Sequence, residues 1–324
     1  MKEFFSSLPV IHQNVSGGYV QALVQIHRQE LFTGMMSMSY PSDQVLALLF
    51  WEGQPLNLYR CLKDRSENIP RQDWSAELDR PNAAVSQLSL ALDELRLIRV
   101  LFESVVEGAD RALLASPDLM IRLKDWAMLE EESLVWVSSG RGSTLGLVGG
   151  FGDPSFECTD LVDGSAHFAR RNTEGADFPA GSDYEVVRYA CRNRQKAWRE
   201  HKLRLAFNPF MQLLVSRFGE LAGRILAERL CRQLSNWCED GGWKISIGGN
   251  GVANRHFFES LEQAVGVYVG LVRRFQDESS LAIGPRLAEN LLREALTRLS
   301  AHPRALMVEH IYSRYGLSDL VLQP

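Results

Sequence analysis

Residues 17–60 read GGYVQALVQIHRQELFTGMMSMSYPSDQVLALLFWEGQPLNLYR, and the stretch changes rhythm part-way along. Over 17–31, Tyr19, Leu23, Ile26 and Leu31 recur near one helical face. From Met35 to Ser39 the residues alternate as a short strand, and Tyr40–Gln44 carries turn chemistry. Val45–Trp51 is a buried-strand run, Glu52-Gly53 a tight turn, and Pro55–Arg60 a further strand. One helix followed by an antiparallel meander is the simplest fold for this pattern, because hairpins need only short connections.

Around this stretch lies a chain of 324 residues, long enough for two or three domains. With 45% hydrophobic and 23% charged residues it reads as a folded chain. The net charge of -5 argues against a protein built to wrap nucleic acid. The longest apolar run, Val45–Trp51, is far short of a membrane span, and the opening MKEFFSSLPVIHQN is too interrupted for a signal peptide. Five cysteines, Cys61, Cys158, Cys191, Cys231 and Cys238, are widely spread without a CxxC. They read as buried thiols of a reduced, cytoplasmic protein, with neither a disulfide framework nor a zinc ribbon.

The expected fold class is α+β in three parts. Residues 1–85 form an N-terminal helix plus meander and a linker. Residues 61–87 lose apolar periodicity and carry Pro70, Pro81 and many charges, which places a boundary there. Residues 86–205 form a middle module: a helix from Ser86, a second from Ser116-Pro117-Asp118, then strands at 134–138, 144–148, 155–161 and 166–170 between glycine-rich turns. A helical run is expected over Tyr184–Leu205. Residues 206–324 read as a helical bundle, broken at 239–256 by WKISI and GGNG. The bundle holds an internal repeat: GRILAERLCRQL from Gly223 and GPRLAENLLREA from Gly284 match at Gly, Leu, Ala, Glu, Leu and Arg. Gly219/Gly223 and Gly266/Gly270 sit four apart and suit close helix packing.

No local motif announces chemistry. The glycine loops at 140–146, 149–152 and 248–251 lack the Lys-Ser/Thr and the helix start of a phosphate cradle. No GxSxG occurs, and the seven histidines show no two-His helical spacing. No catalytic residue, metal ligand or cofactor is therefore assigned. The strongest local signal is charge: Arg188–Arg204 reads RYACRNRQKAWREHKLR, with one acid, Glu200. On a helix, Arg188, Arg192, Lys196 and Arg199 would share a stripe beside Trp198, a candidate surface for an anionic partner.

The segment at 22–60 resembles the PATAN (DUF4388-like) domain. The residues that carry the resemblance are Leu31, Thr33, Gly34, Phe50, Glu52 and Gly53, in the order helix end, Thr-Gly, strand, turn, strand, Glu-Gly, strand. The resemblance implies a non-enzymatic interaction module of bacterial signalling, found with response regulators, roadblock proteins and small GTPases. The middle region would suit a second regulatory module, such as a roadblock-like one, by fold-level analogy. The expected function is thus a cytoplasmic bacterial adaptor acting through protein–protein interaction, with a small GTPase or other signalling protein as partner. The alternatives are an enzyme or small-ligand sensor with its pocket in the helical bundle, and nucleic-acid binding through 188–204. Oligomeric state is not legible in the sequence.

Overall fold

The computed structural model describes residues 4–5, 8–62, 66–103, 110–129, 132–139, 142–148, 155–162, 165–172, 178, 182–190, 196–249 and 251–315. The fold is α+β, with antiparallel sheets followed by a helical C-terminal region. The chain divides into two compact units, Met1–Gln195 and Lys196–Pro324.

The first unit opens with β1 (Val10–Val15) and α1 (Gly17–Gln29), then the meander β2 (Gly34–Ser39), β3 (Val45–Trp51), β4 (Gln54–Cys61) and β5 (Ser66–Ile69). Ser16 caps α1 by accepting the Tyr19 N–H on its hydroxyl. Glu52 and Gly53 both have positive φ, the backbone twist that a two-residue hairpin between β3 and β4 requires. The stretch expected as a linker, 61–87, instead carries β5, the short helix α2 (Trp74–Leu78) and β6 (Ala83–Ser89). β6 is not peripheral: it enters the sheet between β1 and β2, giving the order β1-β6-β2-β3-β4-β5. α1 covers one sheet face, where Val20 and Val24 pack with Met36, Met38, Leu48, Leu58, Ala83 and Val85. Each of the valine, leucine and methionine side chains contributes roughly 1.5–3 kcal/mol by leaving water.

The helix expected from Ser86 begins at Leu92, because Ala83–Ser89 is taken by β6; α3 spans Leu92–Glu103. It is buried around its circumference, including Arg96 and Arg99. Each guanidinium holds a carboxylate one turn away: Arg96 pairs with Asp93 at 2.8 Å and Arg99 with Glu103 at 3.0 Å. Without those partners a buried cation would be prohibitively costly.

The second half of this unit repeats the first. β7 (Asp110–Ala115), α4 (Ser116–Ala127), β8 (Ser133–Ser139), β9 (Gly142–Val148), β10 (Ser155–Val162), β11 (Ser165–Asn172) and β12 (Asp183–Ala190) form a sheet of order β11-β10-β9-β8-β12-β7. Read from the other edge, that is the order of the first sheet, strand for strand, with β12 inserted as β6 is. In each half the first two strands run parallel, joined by a crossover helix, with the last strand between them. Core positions correspond as well: Val20 and Val24 with Leu119 and Leu123, Met36 and Met38 with Val135 and Val137, Leu58 with Cys158, Ala83 and Val85 with Tyr184 and Val186. The middle module is thus a second copy of the first topology, where the sequence suggested a roadblock-like module by analogy.

The two sheets share α3, which packs on β5 of one and on β10 and β11 of the other. Phe102 of α3 lies 5.0 Å from Tyr59 of β4 and 6.3 Å from Phe4, and Phe4 sits edge-on to Trp136 of β8 at 5.5 Å. One aromatic cluster therefore joins the inner faces of both sheets.

The second unit comprises α5 (Lys196–Ala222), α6 (Arg224–Asp240), the hairpin β13 (Ile245–Gly248) and β14 (Gly251–Asn254), α7 (Leu261–Ile283), α8 (Pro285–Arg298), α9 (Ala301–Met307), a π turn at Val308–Tyr312 and α10 (Ser313–Tyr315). α5 joins the end of the run expected over Tyr184–Leu205 to the start of the expected bundle and runs through Pro209. α5–Gly223–α6 and α7–Gly284–α8 have one design, and the two glycines share one backbone conformation, φ 89 ψ 159 and φ 85 ψ 152. The sequence repeat becomes a spatial one. Buried Leu203, Ala206, Phe207, Phe210, Met211 and Leu214 on α5 have their register counterparts buried on α7, namely Ala264, Val267, Tyr268, Leu271, Val272 and Phe275. α5 and α7 lie parallel about a pseudo-two-fold axis. Equivalent cross-braces tie each to the other's partner: Arg217 of α5 to Glu294 of α8 at 2.9 Å, and Glu278 of α7 to Gln233 of α6 at 3.1 Å. Of the four glycines singled out for close packing, a Cβ on Gly270 would meet the Trp237 ring at 2.6 Å and one on Gly219 would touch Ala227, whereas Gly266 has open space and Gly223 serves the turn.

Candidate functional site

The basic stripe is not one helical face. Tyr184–Ala190 lies in strand β12, and α5 begins only at Lys196. Tyr184, Val186 and Val187 are buried while Glu185 and Arg188 are partly exposed. This β-branched, aromatic strand is covered on both faces and is flanked by a helix in the next segment, which blurs its period. Arg192 lies outside the described residues. The other three cations each face a carboxylate of this chain. Arg188 reaches Asp110 at 3.5 Å, donates to the Ser133 hydroxyl at 2.9 Å and sits over the Trp126 ring. Lys196 pairs with Glu262 at 3.0 Å, and the Glu262 backbone N–H together with Lys196 holds the Glu262 carboxyl below its ordinary value. Arg199 pairs with Glu309 and lies 3.0 Å from His310 Nε2. Trp198 is buried. Burial, assisted by Arg199 and Arg314 and opposed by Glu309, holds the His310 imidazole below its usual value.

The residues that carry the N-terminal resemblance converge on one structural knot. Leu31, at positive φ, turns the chain out of α1. Thr33 Oγ1 accepts the Glu52 N–H at 2.9 Å, and the Gly53 N–H donates to the Phe32 carbonyl at 2.8 Å. A Cβ on Gly53 would strike the Arg28 carbonyl at 2.6 Å, and one on Gly34 the Leu88 carbonyl at 2.2 Å. The β3–β4 hairpin is thereby clamped to the end of α1. Phe50 closes the knot beneath His27, whose ring also stacks on Phe32 at 4.4 Å.

Among the described residues no group of three or more His, Cys, Asp or Glu is placed to hold a metal ion. Cys61, Cys158, Cys231 and Cys238 are buried thiols. Burial pushes the Cys61 and Cys231 thiols up, and the Cys238 thiol to about 12, so none of these three is an activated nucleophile. No helix among the described residues is long and apolar enough to cross a membrane.

Exposed apolar side chains supply the candidate sites. Each crossover helix of the first unit buries one stripe and carries a second, outward apolar pair seven residues apart: Tyr19 and Ile26 on α1, Ile121 and Met128 at the face and cap of α4. The adjoining edge strands add Val10 and Ile11 on β1 and Leu113 on β7, the last 72% exposed. In the second unit, Leu221, Ile225, Leu226, Leu281 and Leu287 surround the two glycine turns. Composition cannot reveal such residues. They become visible only once the inward stripe of each helix has been assigned and the leftover apolar positions stand out.

Compared with family models, curated proteins and solved structures, the chain matches none.

Proposed function

We propose that this protein is a non-catalytic cytoplasmic adaptor that binds other proteins through its twin sheet modules. The observation that carries the reading is the outward apolar pair on each crossover helix, with Met128 75% exposed. An amphipathic helix that only covers a sheet needs one apolar stripe. Each copy keeps exposed apolar residues outside its buried stripe and beside an open edge strand, at different register positions in the two (Asp118 and Asp125 stand where Tyr19 and Ile26 would), and such residues are the pattern of a docking surface. The N-terminal resemblance to the PATAN domain supports the same class and names the kind of partner, a small GTPase or another bacterial signalling protein. Duplication would let one chain engage two partners, or two sites of one partner, which raises avidity without new contacts.

The test is capture from the native host with the full chain as bait, comparing wild type with Ile121→Asp/Met128→Asp and with Tyr19→Asp/Ile26→Asp. A specific partner retained by wild type and lost by either double variant, at unchanged melting, supports the reading. Equal capture by all three baits rejects these helices as the docking site.

A further inference from the structure

The end of the helical bundle that carries the two glycine turns points to a second copy of this chain as its occupant; we propose that the protein forms a two-fold dimer through this tip. Turns between helices are ordinarily polar. These two read Leu221-Ala222-Gly223-Arg224-Ile225-Leu226 and Leu281-Ala282-Ile283-Gly284-Pro285-Arg286-Leu287. Leu281 is 86% exposed and Ile225 82%, and Leu221, Leu226 and Leu287 are exposed beside them. Because α5 and α7 run parallel, both turns emerge at the same end.

The tip carries both parts of a self-complementary joint. Beside it, between the antiparallel helices α6 and α7, opens a pocket of about 230 Å³ lined by apolar Phe218, Leu226, Leu230, Leu281 and Ala282 and by polar Arg229, Gln233 and Glu278. The Gln233–Glu278 brace on its wall is the counterpart of the Glu294–Arg217 brace between α5 and α8. Ile225, next in sequence to the pocket-lining Leu226, is exposed and supplies a knob beside this hole. A copy turned about a two-fold axis perpendicular to the bundle would bring the knob of each chain to the hole of the other, which is the condition an isologous interface must meet.

Charge selects among occupants. In sequence around the two turns, Arg217, Arg224, Arg229 and Arg286 are matched in number by Glu220, Glu228, Glu278 and Glu289, and Arg229 and Glu278 line the pocket. Arg217 pairs with Glu220 and Arg224 with Glu228. An anionic membrane would favour a cationic rim, and a highly charged partner one of the opposite sign. A rim with both signs in balance fits a surface that must meet itself. The aliphatic side chains at the tip present on the order of 500 Å², the upper range for an ordinary monomer. With the rim they approach the roughly 800 Å² that each partner gives a standard interface.

Sedimentation velocity of the full chain across the micromolar range tests this. Wild type is expected to sediment as a concentration-dependent dimer. Ile225→Glu and Leu281→Glu are expected to weaken dimerisation by more than about 30-fold, while Ile121→Glu in the other unit leaves it intact. Circular dichroism melts unchanged by these exposed substitutions would show that the fold is kept. A wild type that stays monomeric throughout, or a dimer that persists in both tip variants, would overturn the proposal. So would a monomer that instead co-sediments with anionic vesicles through the tip.

Discussion

Phe207 and Tyr268 stack face to face, with ring centroids 4.0 Å apart and planes 12° from parallel. They are also the same position of the two repeats, since Phe207 precedes Gly223 by the interval at which Tyr268 precedes Gly284. Two equivalent residues can touch only on the axis that relates them, so this stack marks the pseudo-two-fold axis of the bundle. Tyr268 is further fixed by the Asn254 side chain, which donates to its hydroxyl at 2.7 Å.

Phe207→Ala should cost about 3–5 kcal/mol in the bundle's unfolding transition, the usual price of a large core truncation. Tyr268→Phe keeps the stack but orphans the Asn254 amide, and should cost only about 1–3 kcal/mol. Denaturant melts of the two variants check the ranking; a Tyr268→Phe loss as large as that of Phe207→Ala would contradict it.

Gly223 and Gly284 share a backbone conformation that L side chains rarely adopt, and neither has a neighbour within reach of a Cβ. Substitution by alanine should therefore strain the backbone without a clash, by roughly 1–3 kcal/mol at either site. Thermal melts of Gly223→Ala and Gly284→Ala should show nearly equal losses. A neutral effect at one of them would break the equivalence of the two turns.

Gly270 behaves differently. A methyl there would run into Trp237, which is rigid and packed against Trp243. Gly270→Ala should destabilise the bundle by about 1–3 kcal/mol through overpacking, and Gly266→Ala, in open space on the same helix, should be neutral or slightly stabilising. Similar melting temperatures for the two variants would contradict the close approach.

His27 is buried against Phe32 and Phe50, and both its ring nitrogens lack hydrogen-bond partners. Burial holds the imidazole below its ordinary value, with Glu30 pulling weakly the other way. The folded state thus binds fewer protons than the unfolded chain below about pH 6.5. The stability of the first unit should be full above that value and fall as pH drops through the lower folded value. His27→Leu should flatten this limb. His310 shifts in the same direction in the second unit and should keep its own acid limb in that variant. An unchanged pH profile for the first unit in His27→Leu would refute the assignment.

The strands between glycine-rich turns, β8 to β11, were legible because turn residues delimit them. β6 and β12 were not. Both are inserted late in sequence between strands formed earlier, both faces are covered, and the Leu- and Arg-rich helices that follow blur the period. Misreading β12 as helix also produced the basic stripe, since Arg188 on a strand cannot extend a face of α5. The bundle repeat was visible because Gly, Leu, Ala and Glu recur identically around the turns. The duplication of the sheet modules was not, because Val20 answers to Leu119 and Leu58 to Cys158: apolar character is kept while identity is lost. The α+β class survives these errors, because it depends on which period dominates each region.

The central claim is that the outward faces of α1 and α4 bind protein. Its most direct test places a photo-crosslinking residue at 26, at 128 and, as a control, at exposed Arg122, in the full chain expressed in its native host. The account predicts one discrete protein adduct at 26 or 128, absent at 122, and lost when the partner apolar position, Tyr19 or Ile121, is changed to Asp. No adduct at 26 and 128, or the same adducts at 122, would contradict it.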